Sequence, residues 1–428
     1  MNFEEKFIHK IMKKNLILFF ISYFLAINIY SQTGWFPQNS GTLFSLNSIN
    51  CIDTSNAYVA GDNFKILKSS NGGNLWVSLF SGPYPLYSSY FLNISTGWVA
   101  GADGGIWKTT NGGVNFSQQQ QISSNLFNAI RFIDNNVGYA CGGNGTIVKS
   151  TNSGSTWFFQ QSGVVSTLYS IHMIDTLTGY ICGAGGRILN SINGGVNWTN
   201  QVSGTGDNLY SITFRNANTG FVTGGNQTGL ILMTTNGGVN WLTQNSGTTN
   251  SLRTIFIAGD TAIYAGGING TIIKTTNGGI NWFSMVSGTG YNINKLYFLN
   301  NRTGYAVGDQ GTILKTTDGG GLVGVEPVSR DVPGKFELYQ NYPNPFNPST
   351  IINYTLPVAN YVELKVYDGM GKEVAALVSQ NQIAGKYAVE WNAKQYSSGV
   401  YFYKLTVTAA AGSSTGDFIQ TKRMVLVK

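Results

Sequence analysis

The stretch ILKTTDGGGLVGVEP, Ile313 to Pro327, decides the fold. Its first eight residues end a unit that occurs six times before it. The earlier copies run on into an aromatic residue: LKSSNGGNLW to Trp76, WKTTNGGVNF to Phe116, VKSTNSGSTW to Trp157, LNSINGGVNW to Trp198, LMTTNGGVNW to Trp241 and IKTTNGGINW to Trp282. The seventh copy has no aromatic. Its Asp318 follows Asn71, Asn111, Asn152, Asn193, Asn236 and Asn277 at spacings of 40, 41, 41, 43, 41 and 41 residues. Stepping back 41 residues from Trp76 reaches Trp35, in GWFPQNSGT, and QNSGT recurs directly after the residues that follow Trp241. Trp35 therefore opens the missing end of the seventh unit.

Each unit holds about four strand-like runs. In the third they are NAIRFID, GYACGG, TIVKST and TWFFQQ. A period near 41 with four short strands predicts a propeller blade. The expected fold is all-β: a seven-bladed β-propeller closed by an N-terminal strand, plus a C-terminal Ig-like β-sandwich. With the outer strand of the last blade at the start of the chain, the termini seal the ring and leave no open edge there.

The box S/T-x-N/D-x-G reads as a tight hairpin whose Asn or Asp accepts backbone N–H groups. The second glycine is present in all seven copies, while Ser153 replaces the first in one. The second is thus the position expected to need a positive φ.

These boxes resemble the BNR/Asp-box repeat. GYAVGDQGTILKTTDGG, Gly304 to Gly320, is more specifically similar to the photosystem II assembly-factor type of propeller. The resemblance spans about Trp35 to Gly320 and implies a fold rather than photosynthesis.

Asp-box propellers include sialidases and other glycosidases, so chemistry has to be weighed. No glutamate lies between Lys6 and Val325, and the propeller arginines sit in no sialidase-like motif. Asp53, Asp134 and Asp175 share a repeat position with Asn93, Asn216 and Asn300, which reads as a turn cap. Asp62 and Asp309 share another, with Asp103 one residue off. Asp207 and Asp260 remain for a glycosidase. The expectation is no enzyme, no cofactor and no metal.

What varies among blades points to binding. In the first strand, apolar positions flank a changing residue: Asn50, Tyr90, Arg131, His172, Thr213, Phe256 and Tyr297. Lysine stands three residues before the box Asn or Asp at Lys68, Lys108, Lys149, Lys274 and Lys315. Tyr90, Arg131, His172, Tyr297 and these lysines are the candidate binding residues, forming a mildly basic, aromatic-bearing face. The simpler reading, which is preferred, is interblade packing with solvated lysines.

Charge supports no nucleic-acid face. From Thr33 to Gly321 there are 12 Lys and Arg against 9 Asp, with no basic run. Cys141 and Cys182 fall at equivalent positions and read as small core residues.

The two ends read as addresses. Lys13 and Lys14 precede the apolar run Leu16–Ile29, so residues 1–31 are expected to be a signal peptide, with Met1 or Met12 as the start. The propeller spans 32–321 and a linker 322–335. Beyond it, VELKVYD, YAVEWN and VYFYKLTV alternate with period 2, predicting a small sandwich over 336–428. YQNYPNPFNPSTIINYTLP closely resembles the opening of the type IX secretion sorting domain, and SSGVYFYKL and KRMVLVK follow in that family's order. The motif residues are Tyr342, Pro343, Asn344, Pro345, Phe346, Asn347 and Pro348, whose prolines are expected to fix an extended lead-in strand. The resemblance implies a Bacteroidota source, type IX machinery as partner, and a secreted or outer-membrane surface location. No membrane span is expected in the mature chain. The ligand is expected to be an extracellular glycan, protein or envelope component; a structural surface protein is the further alternative.

Overall fold

The computed structural model describes residues 34–119, 124–259, 262–320, 333–358, 360–382, 384–408 and 417–428. The expected signal peptide, most of the expected linker, and Asp260 lie outside them.

Seven four-stranded antiparallel sheets follow one another along the chain. The third is made of Phe127–Phe132, Gly138–Gly142, Ile147–Ser150 and Phe158–Gln160. The seventh is completed from the other end of the propeller: Phe36–Gln38 pairs with Ile313–Thr316, with Phe36 opposite Lys315. Phe158 stands opposite Lys149 in the same way. The displaced segment thus occupies the fourth-strand place in the register that other blades use.

The innermost strands are Leu46–Cys51, Leu86–Phe91, Phe127–Phe132, Leu168–Met173, Leu209–Phe214, Leu252–Ile257 and Ile293–Phe298, for blades 1 to 7. Each contacts the next, and the seventh contacts the first. A repeated hydrogen bond ties them. The third residue of the strand, when Ser or Thr, accepts the N–H of the fourth residue in the next blade. The pairs are Ser48–Ser89 at 3.0 Å, Ser88–Ile130 at 3.1 Å, and Ser170–Ile212, Ser211–Ile255 and Thr254–Leu296 at 3.3 Å.

The cores lie between blades. Tyr139, Cys141 and Ile147 of blade 3 pack on Leu168, Ile171, Ile181 and Trp198 of blade 4. Trp35 packs with Tyr264, Leu296 and Phe298, meeting the Phe298 ring edge-on at 5.7 Å. All three cysteines are free and buried.

The described residues between Glu337 and Leu426 form two antiparallel sheets of three and four strands around one core, an Ig-like sandwich that includes Phe346, Tyr354, Leu364, Trp391 and Leu405. The NPFNP segment departs from expectation. It is a run of bends whose ladder pairing is limited to isolated bridges at Tyr342–Ile351 and Phe346–Leu426. Proline has no N–H to give, so so dense a run of prolines cannot sustain a ladder. The segment instead holds the last strand: Phe346 N–H donates to Val425 O at 3.0 Å, and Val425 N–H donates to Asn344 Oδ1 at 2.9 Å.

Candidate functional site

The box is a closed hydrogen-bond unit. Ser150 Oγ donates to Asn152 Oδ1 at 3.0 Å and accepts from Gly154 N–H at 2.8 Å. Asn152 Oδ1 accepts from Thr156 N–H at 2.9 Å. Asn71, Asn111, Asn193, Asn236 and Asn277 accept the equivalent bond. The glycine expectation needs correction, because both box positions are left-handed. Ser153 itself adopts φ 60° beside Gly154 at 77°. Both positions are also crowded: a Cβ on Gly72, Gly112, Gly194 or Gly319, at the first position, would lie 2.7 to 2.9 Å from a backbone carbonyl oxygen. A Cβ on Gly154 would lie 2.6 Å from the indole nitrogen of Trp98 in the preceding blade. In blade 3 the first position nonetheless carries a Cβ, that of Ser153, at the conformational cost of a left-handed serine.

The five lysines occupy equivalent sites, each over an aromatic ring of its own blade: Lys68 over Tyr58, Lys108 over Trp98, Lys149 over Tyr139, Lys274 over Tyr264 and Lys315 over Tyr305, at 5.1 to 5.8 Å. Four donate to a carbonyl in the next blade's box: Lys108 to Ser153 O, Lys149 to Gly194 O, Lys274 to Gly319 O and Lys315 to Gly72 O. Tyr139, Tyr264 and Tyr305 donate to the same carbonyls as their lysines. The ammonium groups thus clamp blade to blade. Burial holds Lys274 down to about 8, against a smaller opposite pull from Asp318.

The variable first-strand residues behave differently. Arg131 lies within electrostatic reach of Tyr90 and Tyr297, and His172 within reach of Arg131. These residues come from blades 3, 2, 7 and 4. Blades 7 and 3 are not neighbours in the ring, so the electrostatic influence between Tyr297 and Arg131 acts across its interior. Phe256 joins them, its ring 5.1 Å from that of Tyr297. Burial, then Arg131, pushes His172 down to about 3, so its imidazole is neutral near pH 7. Burial pushes Tyr297 up to about 12.

One axial residue escaped the sequence reading. Lys295 stands at the third position of its strand, where other blades carry Ser48, Ser88, Ala129, Ser170, Ser211 and Thr254. It reaches Arg131 and Cys182 electrostatically, and burial lowers its ammonium below the ordinary range. A single lysine in a column of small residues was the available signal.

The aspartates serve turns and loops. Asp53 Oδ1 accepts Ser55 and Asn56 N–H at 2.7 and 2.8 Å, as Asn93 Oδ1 does from Ser95 and Thr96. Asp134 and Asp175 repeat the pattern. Asp62 and Asp309 accept asparagine side chains, and Asp103 accepts Gly105 N–H. Among the described residues no three His, Cys, Asp or Glu side chains gather as a metal site. Two open grooves, of about 760 and 530 Å³, are lined by corresponding loops of different blades, including Asn144–Thr146 and Asn269–Thr271, so they belong to the repeat.

Residues 340–419 match the family described as secretion system C-terminal sorting domain. The chain ends in a type IX sorting domain. That sorting domain marks the protein for secretion or the cell surface. Residues 149–246 match photosynthesis system II assembly factor YCF48. The propeller preceding the sorting domain is thus of the YCF48-like kind. Solved structures with this fold include YCF48 bound to D1 peptide, 17% identical, covering 67% of this chain and 97% of that one at TM-score 0.58. YCF48 from Cyanidioschyzon merolae is 18% identical, covering 66% and 98% at 0.57. The WD40 propeller domain of Doa1 is 13% identical, covering 66% and 97% at 0.56. No curated protein matches the chain. No helix among the described residues is long and apolar enough to cross a membrane.

Proposed function

We propose that the propeller is a non-catalytic binding or adhesion module, carried outside the cell by its type IX sorting domain. Its ligand is an extracellular glycan, protein or envelope component, taken at the axial residues Tyr90, Arg131, His172 and Tyr297. The observation that carries this reading is that these variable side chains, all on innermost strands, share one electrostatic environment. Elsewhere the blades repeat one another, and repeated positions do not distinguish a ligand. The lack of any glutamate between Lys6 and Val325 supports binding without chemistry. So does the use of most described propeller aspartates as turn and loop acceptors.

The sorting segment Tyr342 to Pro348 is proposed as a recognition element. Tyr342 to Pro345 are exposed, while Phe346 anchors the segment in the core.

The test applies the secreted chain to a polysaccharide and glycan panel, reading bound protein and released sugar in the same wells. Saturable binding without sugar release is expected. Release would replace this reading with a secreted glycosidase using aspartates, starting from Asp207. Silence in both channels would direct attention to protein partners or a structural surface role.

A further inference from the structure

We propose that the groove between blades 3 and 4 binds a carboxylate-bearing saccharide, with the Phe159 ring against a sugar face and the Arg187 guanidinium on its carboxylate. This goes beyond the axial reading and does not rest on it, since none of Tyr90, Arg131, His172 and Tyr297 lines the groove.

The groove itself is a product of the repeat. Its walls are the turn Asn144–Thr146, the outer-strand residues Phe159 and Gln160, the loop leading to blade 4, and Arg187 of blade 4. At about 760 Å³ it lies within the roughly 300–1,000 Å³ range of ligand pockets. The second groove, in blade 6, uses the corresponding loops with different side chains.

Four residues set the first groove apart. Phe159 stands opposite Val148, in the place that Ser284 takes opposite Ile273 in blade 6. The other blades carry Pro37, Ser78, Gln118, Asn200 and Thr243 there. Val164 and Val165 replace Thr289 and Gly290, since Ser162 donates to Val164 O as Ser287 does to Thr289 O. Arg187 occupies a position that carries Thr146, Thr271 and Thr312 in blades 3, 6 and 7. Core packing does not account for the apolar changes, because Phe159 is 61% exposed and Val165 86%. Together they give this groove an apolar wall that the second one lacks.

Arg187 is the only charged residue lining the groove, and among the described residues it makes no ion pair. Its Nη1 donates to Asn200 Oδ1 at 3.1 Å, which holds the guanidinium in place. Its Nε is enclosed and meets no acceptor among the described residues. A half-buried guanidinium short of acceptors is suited to a carboxylate. An aromatic ring, an aliphatic patch, one cation and the nearby Asn144, Gln161 and Ser166 side chains match a sugar acid. Such a ring presents apolar C–H faces, hydroxyls and a single negative charge together. A polyacidic peptide would leave most of its charges unpaired against one cation.

The test is calorimetric titration of the full secreted chain with acidic oligosaccharides from pectin, alginate and hyaluronan. Each is run beside its carboxyl-reduced counterpart, and an oligoglutamate peptide forms a further arm. Phe159→Ser and Arg187→Thr install the residues that blade 6 carries at those positions, and thermal melts check their folding. Saturable binding of at least one acidic oligosaccharide is expected. Carboxyl reduction and each substitution should weaken it about tenfold or more. No saturable binding of any acidic oligosaccharide, equal affinity for its reduced form, or unchanged affinity in either variant overturns the proposal. Oligoglutamate binding as tight as that of the sugars, and lost in both variants, would assign the groove to acidic peptides instead. Glycan binding that survives both substitutions would reject the groove and leave the axial reading standing.

Discussion

The backbone N–H of Gly34 donates to Asp318 Oδ2 at 2.9 Å, across 284 positions of sequence. In the other boxes the same bond comes from the residue just before the aromatic, four positions after the Asn, as from Leu75 to Asn71. Gly34 stands just before Trp35. The two ends of the propeller therefore share one turn, and the ring is closed by completing a local motif from a distant segment.

Removing that closure has a graded effect. Trp35→Ala should cost roughly 3–5 kcal/mol, as for other buried aromatic truncations. Asp318→Ala should cost about 1 kcal/mol by losing an acceptor, whereas Asp318→Asn restores the residue of six other boxes and should be close to neutral. Urea unfolding checks all three. Wild-type stability in Trp35→Ala would contradict closure through this segment.

The clamp can be tested by coupling. Tyr139 and Lys149 both donate to Gly194 O, at 2.8 and 2.7 Å. Either donor alone still serves the carbonyl, so Tyr139→Phe and Lys149→Met should be more than additive when combined. A coupling of about 0.5 kcal/mol or more in a double-mutant cycle is expected. Strict additivity would show that the two donors act separately.

His172 makes stability fall in acid. Its pKa drops from 6.5 to about 3 in the folded chain, through burial first and Arg131 second. The unfolded chain then binds a proton that the folded chain refuses, so stability is lost as pH falls from 6.5 toward 3. Near pH 5 the loss is roughly 2 kcal/mol. His172→Asn, the residue type of blade 1 at this position, should flatten that part of the profile. Equal slopes in the two proteins would place the acid sensitivity elsewhere.

Export and stability should separate in the C-terminal module. Phe346→Ala should destabilise the sandwich by about 3–5 kcal/mol, because the ring is buried. Tyr342→Ala removes an exposed ring and should leave melting nearly unchanged. Deleting residues 336–428 should leave a folded propeller in the periplasm. Fractionation of the truncated strain gives the answer, and normal export of that chain would refute the sorting role.

The sequence by itself determined the blade count, the strand order within each blade and the closure through Trp35. Those features follow from local chemistry repeated at a fixed spacing: a turn needs its Asn, hydroxyl and glycine wherever it occurs. The acceptor role of the box Asn and the capping role of Asp53, Asp134 and Asp175 were legible for the same reason. The sandwich could be read from its period-2 runs, although the bent course of Tyr342 to Pro348 could not.

Only the tertiary structure decided what the varying side chains do. Spacing placed Lys149 and Arg131 alike on regular strands. It could not show that one donates to Gly194 in the adjoining blade while the other acts electrostatically on Lys295 of a blade that is not its neighbour. A repeat defines each blade's own hydrogen bonds, whereas the neighbours of a side chain depend on how seven blades close around an axis. Closing the ring brings Arg131 and Lys295, more than a hundred positions apart, into one electrostatic environment that the spacing of the repeat does not reveal.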